Sequence, residues 1–237
     1  MQRNKKEIPR TSMNIINDEK KQAALEAVKE IREGMIVGLG TGSTAYYAIH
    51  AVADLVKAGM SLKTIPTSEQ TRQMSEALGI PMVDINSIDH IDLTIDGADE
   101  FTQSLALIKG GGGALLREKI VASLTTHQII VTDSSKLVQE LGRFKLPVEV
   151  IPFACEYVMR ELRKLGGLGV VRKQGDNDYI TDQGNLIIDT DFGLINDPET
   201  LDQRLNQVVG VVEHGLFNNL AHKVIMVKNG DIITFSR

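Results

Sequence analysis

Four consecutive glycines, Gly110 to Gly113, stand in the middle of this chain between the apolar run ending at Ile108 and an apolar pattern that begins at Ala114. Each glycine weakens a helix or strand interior by about 0.5–1 kcal/mol relative to alanine. The run therefore predicts a loop that uses its bare amides or unusual dihedrals, opening into a helix over 114–124. The same stretch begins at Asp96, where Asp96 and Asp99 ride a tight Gly97-Ala98 turn. It carries Lys109 at the edge of the glycines and ends on Glu118, about a turn into the helix. Three acidic groups, one ammonium and a row of exposed amides would crowd one end of a sheet. That set can move protons on a small polar molecule and hold the negative charge that develops.

The surrounding pattern says what kind of sheet. Short apolar runs at 35–39, 62–66, 81–85, 91–96 and 128–132 alternate with helical periodicity, which predicts a mostly parallel, doubly wound α/β sheet of Rossmann-like type. In such sheets ligands sit outside the carboxyl ends of the strands. From Leu146 the order becomes β-α-β-β-α-β, with strands at 148–151, 168–172, 186–190 and 208–212 and helices at 153–165 and 198–206. That order predicts a second, smaller ferredoxin-like α+β domain. Asn229-Gly230 between alternating apolar residues is a hairpin signal within 223–236, returning to the large sheet. The expected organisation is a flexible tail over 1–16, a catalytic α/β domain over 17–146 and 213–237, and the small domain over 147–212.

The segment Gly38 to Thr44, GLGTGST, joins a strand to a helix, where amides approach an anion at the positive helix end. Ser43 stands where a dinucleotide fingerprint needs its third glycine, and the Walker pattern is missing. A phosphate monoester, with the Ser43 and Thr44 hydroxyls as further donors, fits better than a plain tight turn. Asp96 to Glu100, DGADE, lacks the ligand spacing of a calcium loop. Alone it reads as a polar turn, but beside Lys109 and the glycines it reads as chemistry, with one of its two aspartates expected to resist ionising next to the other. Glu118 alone would be a solvated helix residue, and only its neighbourhood argues otherwise. The five histidines show no metal-ligand spacing, and Cys155 has no base beside it in sequence, so neither metal nor cofactor is expected. A net charge of −5 argues against nucleic acid or membrane as the main partner, and an anionic ligand must then be met by local positive groups. One cysteine and no long apolar span make a reducing cytoplasm the expected location.

These motifs together resemble the A-type ribose-5-phosphate isomerases, from Asn17 to the C-terminus. The matching blocks are VGLGTGSTA, PTSEQT, DGADE, IKGGGGALLREK, the SSK at 134–136, LPVEVIPFA and ITDQGNLIID. The resemblance implies interconversion of ribose 5-phosphate and ribulose 5-phosphate through an enediolate, in the non-oxidative pentose phosphate pathway. It implies that Glu118 is the base moving the proton between C1 and C2. Lys109 with the amides of Gly110, Gly111 and Gly112 would stabilise the enediolate. Asp96 and Asp99 would help to open the furanose ring and move hydroxyl protons. Gly40, Thr41, Gly42, Ser43, Thr44, Lys20 and Lys136 would surround phosphate and hydroxyls, with the choice between Lys20 and Lys21 left open. A homodimer or homotetramer is implied in the same way. Small departures are KGGGGAL for the usual KGGGAAL, DSSK for DESK and LGRFKLPVEV for LGTFPLPVEV, and none replaces a proposed catalytic side chain. Two other classes compete. A sugar-phosphate sensor of a transcription regulator would need a basic helix-turn-helix, for which 16 N-terminal residues are too few. An acyl-CoA transferase with Glu118 as nucleophile would need room for a nucleotide-sized thioester, and turnover of pentose phosphate against CoA separates the two.

Overall fold

The computed structural model describes residues 12–237. Helix α1 (Ser12–Val28) leads to β1 (Ile36–Leu39), α2 (Ala45–Lys57), β2 (Lys63–Pro66), α3 (Glu69–Ala77), β3 (Ile91–Asp96), α4 (Leu115–Leu124) and β4 (Thr125–Asp133). Then come β5 (Leu146–Val150), α5 (Cys155–Lys164), β6 (Leu168–Val171), β7 (Leu186–Asp191), α6 (Pro198–Leu205), β8 (Val211–His214), β9 (Lys223–Lys228) and β10 (Asp231–Ser236).

The large sheet has the order β10-β9-β4-β3-β1-β2. All neighbours are parallel except the β9-β10 hairpin, whose turn places Asn229 and Gly230 at positive φ, as a two-residue hairpin turn requires. Successive residues of β4 serve opposite faces: Ile129 and Val131 pack with Ala24, Leu39 and Val52 under α1 and α2, while Ile130 packs with Phe101 and Phe217. A sheet covered on both faces needs such continuous apolar strands, which is why β4 reads as an unbroken run rather than an alternation. The small sheet is fully antiparallel with the order β8-β5-β7-β6. Numbered within the unit this is 4-1-3-2, the ferredoxin-like arrangement, with Val148, Val158, Leu162, Ile188 and Leu205 in its core.

Three expectations are corrected. Helix α1 starts at Ser12, so residues 12–16 are helical rather than tail, and the rest of the expected tail, 1–11, lies outside the described residues. Residues 81–85 form no strand: Met82 makes one isolated bridge to Thr64, and the Asp84 carboxylate accepts from the Asn86 amide and turns the chain into a single 3₁₀ turn. Strand β8 begins at Val211 rather than 208, because Val208 still donates to the Leu205 carbonyl and Gly210 takes a positive φ.

Because β1, β3 and β4 run parallel, their carboxyl ends share one edge. Gly40, Asp96 and Asp133 end or follow these three strands, and α2 and α4 start from that same edge.

Candidate active site

Asp96 ends β3 fully buried, and its Oδ1 accepts from the amides of Gly97 at 2.7 Å and Thr41 at 3.2 Å. Gly40 lies against it so closely that a Cβ there would stand 2.1 Å from that oxygen. The first glycine loop is thus bare at Gly40 because the second motif occupies the space. The other carboxylate oxygen, Oδ2, lies 3.0 Å from Lys109 Nζ. Lys109 follows the short strand Leu107–Ile108 and is only 2 % exposed, its ammonium also donating to the Gly97 carbonyl and lying 3.2 Å from Glu118 Oε1. Burial works against this ammonium, but Asp96 and Glu118 outweigh it and hold its pKa above the usual lysine value.

Glu118 sits in the first turn of α4 and is 5 % exposed. Its Oε2 is buried without a hydrogen-bond partner among the described residues. Burial raises its pKa to about 8, against the opposing pull of Lys109 and with help from Asp96 and Asp99. Glu118 is therefore a carboxyl pushed up by its surroundings. Asp99 turns toward the glycines, its Oδ2 accepting from the Gly111 amide at 2.7 Å, while Asp96 and Glu118 share Lys109. The neighbours of Glu118 face away: Arg117 pairs with Asp182, and Lys119 with Glu213 at 2.6 Å.

The glycine run closes on itself, with Gly113 donating to the Gly110 carbonyl and both taking positive φ. Among the described residues the amides of Gly110 and Gly112 donate to no protein acceptor, which leaves them for an oxyanion.

At the other end of the cleft, Lys20 Nζ donates to Ser43 Oγ at 2.9 Å and stands 4.0 Å from Asp133. Lys20 lines the cleft and Lys21 is solvent-exposed, which separates the two lysines. Glu19, the buried residue before Lys20, accepts from the amide and hydroxyl of Ser134 and from the Asn229 amide. It thereby ties α1 to the turn that carries Lys136. The cleft encloses about 110 Å³ and gathers Lys20, Thr41 to Thr44, Gly97 to Asp99, Lys109 to Gly112, Glu118 and Lys136. A larger groove of about 390 Å³ beside α4, lined by Ile65, Pro66, Val83 and Ile120, is mainly apolar and brings no such convergence of charge.

Residue-by-residue reading missed a hydroxyl cluster. Thr41 Oγ1 lies 2.8 Å from both Thr67 Oγ1 and Ser68 Oγ, and Thr71 Oγ1 donates to the Gly40 carbonyl at 2.9 Å. These groups fix the glycine loop from α3, whose N-cap is Ser68. The only signal was PTSEQT as a block, since serines and threonines ahead of a helix otherwise read as capping alone. Among the described residues no three His, Cys, Asp or Glu side chains are grouped as a metal site requires, and no helix is long and apolar enough to cross a membrane.

Comparison with known proteins adds an independent line. Residues 63–231 match the family model of ribose 5-phosphate isomerase A, also described as phosphoriboisomerase A. Ribose-5-phosphate isomerase A of Sphingopyxis alaskensis is 46 % identical over 215 residues, covering 91 % of this chain and 94 % of the relative. A solved D-ribose-5-phosphate isomerase in complex with phospho-erythronic acid superposes with a TM-score of 0.91 at 37 % identity, covering 94 % of this chain and 99 % of that one. Ribose 5-phosphate isomerase A of Methanocaldococcus jannaschii gives 0.89 at 39 % identity, with 93 % and 99 % covered.

Proposed function

This chain belongs to the ribose 5-phosphate isomerase A family, and from that premise we propose how its side chains do the work. It is an aldose-ketose isomerase that interconverts ribose 5-phosphate and ribulose 5-phosphate. In our reading Asp96 and Asp99 shuttle hydroxyl protons as the furanose opens. The Glu118 carboxylate then takes the proton from C2 of the open aldose. The electrons of that C–H bond form the C1–C2 double bond, and the carbonyl oxygen on C1 gains negative charge. Lys109 and the amides of Gly110 and Gly112 hold that charge, and Asp99 leaves the Gly111 amide free to join them when it turns to the substrate. Glu118 returns its proton to C1, and the hydroxyl proton on O2 is carried to O1 as C2 becomes the carbonyl, which leaves a neutral C1 hydroxyl and no net change in protons. The observation that carries this reading is Glu118 itself, a buried carboxylate whose second oxygen has no hydrogen-bond partner among the described residues and whose pKa is raised to about 8.

Lys20, Thr41, Ser43, Thr44 and Lys136 hold the phosphate and nearby hydroxyls. The positive start of α2 and the two lysines supply what a chain of net charge −5 cannot supply globally. A phosphorylated ligand is supported by the phospho-erythronic acid complex of the similar structure. The reading also comprises a catalytic unit over 12–146 and 213–237, a small unit over 147–212, a homodimer or homotetramer in the cytoplasm, and a place in the pentose phosphate pathway.

Replacing Ser43 and Thr44 together by Ala is expected to raise KM about tenfold, since the anchor serves ground and transition states alike. A smaller fall in kcat accompanies it, because remote binding energy positions the reacting end. A steady-state titration with ribose 5-phosphate checks this, and an unchanged KM refutes the phosphate assignment. Catalysis is also expected to need no metal, because Lys109 and the glycine amides do the work a Lewis acid would. Activity after dialysis against EDTA should equal that before it. A loss restored by a divalent ion would overturn this part of the reading.

A further inference from the structure

The glycine run that faces the cleft is held from behind by the small sheet. Arg172, directly after β6, sends Nη1 to the carbonyl oxygens of Gly110 at 2.9 Å and Gly111 at 3.1 Å. The other edge of the same guanidinium is taken by Asp189 on β7, with Nε 2.9 Å from Oδ2 and Nη2 2.5 Å from Oδ1. The arginine side chain is 13 % exposed and lies over the Tyr179 ring at 5.8 Å, while Tyr179 Oη reaches the Gly112 carbonyl at 3.4 Å. A Cβ at Gly113 would fall 2.2 Å from that hydroxyl, so the run is also packed against the segment that joins β6 to β7.

A peptide unit is planar and trans, so its carbonyl and the next residue's N–H point in opposite directions. Holding the Gly110 carbonyl outward turns the Gly111 amide inward, where it meets Asp99. Holding the Gly111 carbonyl outward does the same for the Gly112 amide, which has no protein acceptor among the described residues. Four glycines have no side chains of their own with which to fix such an arrangement, and their backbone is the most permissive available.

We propose that Arg172, oriented by Asp189, is a positioning residue for the isomerisation: from the small sheet it fixes the peptide planes of the glycine run so that the amides of Gly111 and Gly112 face the enediolate. This rests on the reading of those amides as donors to the reaction. It also gives the small sheet a part in the chemistry, because both side chains belong to it and neither lines the cleft. The task requires arginine, whose rigid fork serves a carboxylate on one edge and two carbonyls at one nitrogen. Lysine offers a single point of charge.

The test compares Arg172→Ala, Arg172→Lys, Asp189→Asn and Glu118→Gln with the wild-type full chain on ribose 5-phosphate, with thermal midpoints measured alongside. Arg172→Ala should lose about 10- to 100-fold in kcat, the cost of misplaced donors, with KM changed by less than about threefold because phosphate and hydroxyl contacts remain. Arg172→Lys should recover little of the loss. A groove of about 570 Å³, lined by Gly111, Arg172 and Asp189, opens beside the guanidinium. Added guanidinium ion should therefore restore kcat in Arg172→Ala and not stimulate the wild type. If Arg172→Ala does not fold, Asp189→Asn keeps the arginine and should show the fall in kcat at a near wild-type midpoint. Full activity of Arg172→Ala, or a loss confined to KM, or a loss that lysine repairs and guanidinium does not, overturns the proposal. Glu118→Gln separates the two readings: if it is inactive while Arg172→Ala is fully active, only this inference fails, and if it is active, the reading beneath fails.

Discussion

Glu118→Gln is expected to lower kcat by about 10²- to 10⁴-fold, the usual worth of a general base, with KM held within about threefold because glutamine keeps the size and leaves the phosphate contacts untouched. The reaction needs one group on one face of a planar enediolate that accepts a proton and returns it. Asp96 is engaged by two amides at Oδ1 and by the Lys109 ammonium at Oδ2, and Asp99 by Gly111, whereas Glu118 Oε2 has no hydrogen-bond partner among the described residues. Its raised pKa adds a signature in pH. The base acts only when ionised, so kcat/KM should fall as pH drops through about 8, and the variant should lack that limb. Stability moves the other way. A carboxyl whose folded pKa lies above its unfolded value favours the folded state most below the unfolded pKa, and this favour is lost as pH rises through the folded one. Glu118→Gln should therefore gain in thermal midpoint over wild type as pH goes from 5 to 9. Proton exchange from C2-deuterated substrate decides the role: near wild-type exchange or turnover in the variant would move the proton to another group, with Asp96 first in line.

How much of this could be read from the chain follows from range. Asp96, Lys109, the glycines and Glu118 lie within 23 positions of sequence, and each follows a strand or opens a helix. The rule that parallel strands present their ligands at one edge brings them together without further information. The apolar continuity of β4 and the Asn229-Gly230 turn were legible for the same local reason. Contacts made across the fold were not. Arg172 lies 62 positions from Gly110, directly after a strand whose outward face carries exposed Leu168 and Val170 and looks like ordinary surface. Thr67 and Thr71 reach Thr41 and Gly40 only because α3 is seated against the first glycine loop. The start of α1 was misread because Met13 and Ile15 are solvent-exposed, so the first helical turns show no buried stripe from which periodicity could be read. At 81–85 the apolar run was real, but Thr64 supplied a bridge partner for only one residue, Met82.

Lys109→Met should be the more damaging substitution of the two, because it removes a charge on which both the folded state and the reaction depend. The ammonium is 2 % exposed and stands 3.0 Å from Asp96 and 3.2 Å from Glu118. Removing one partner of a buried ion pair costs about 3–5 kcal/mol, so the thermal midpoint should fall steeply at pH 7. It should recover toward low pH, where carboxylates are neutral and no stranded charge remains. Chemistry suffers twice. The developing enediolate loses its counter-charge, worth about 10²- to 10³-fold in kcat for one such donor. Glu118 loses the ammonium that pulls its pKa down, so its proton stays on further into the alkaline range and the ascending limb of kcat/KM moves to higher pH. Lys109→Arg separates charge from fit. Its guanidinium restores a cation between the carboxylates, so much of the stability should return, but a planar fork cannot occupy the place of a compact ammonium that also donates to the Gly97 carbonyl. The rate should then stay at least about tenfold below wild type, the cost of about 1.4 kcal/mol in lost transition-state contact. A folded Lys109→Met enzyme with kcat within about tenfold of wild type would mean that the glycine amides hold the enediolate alone.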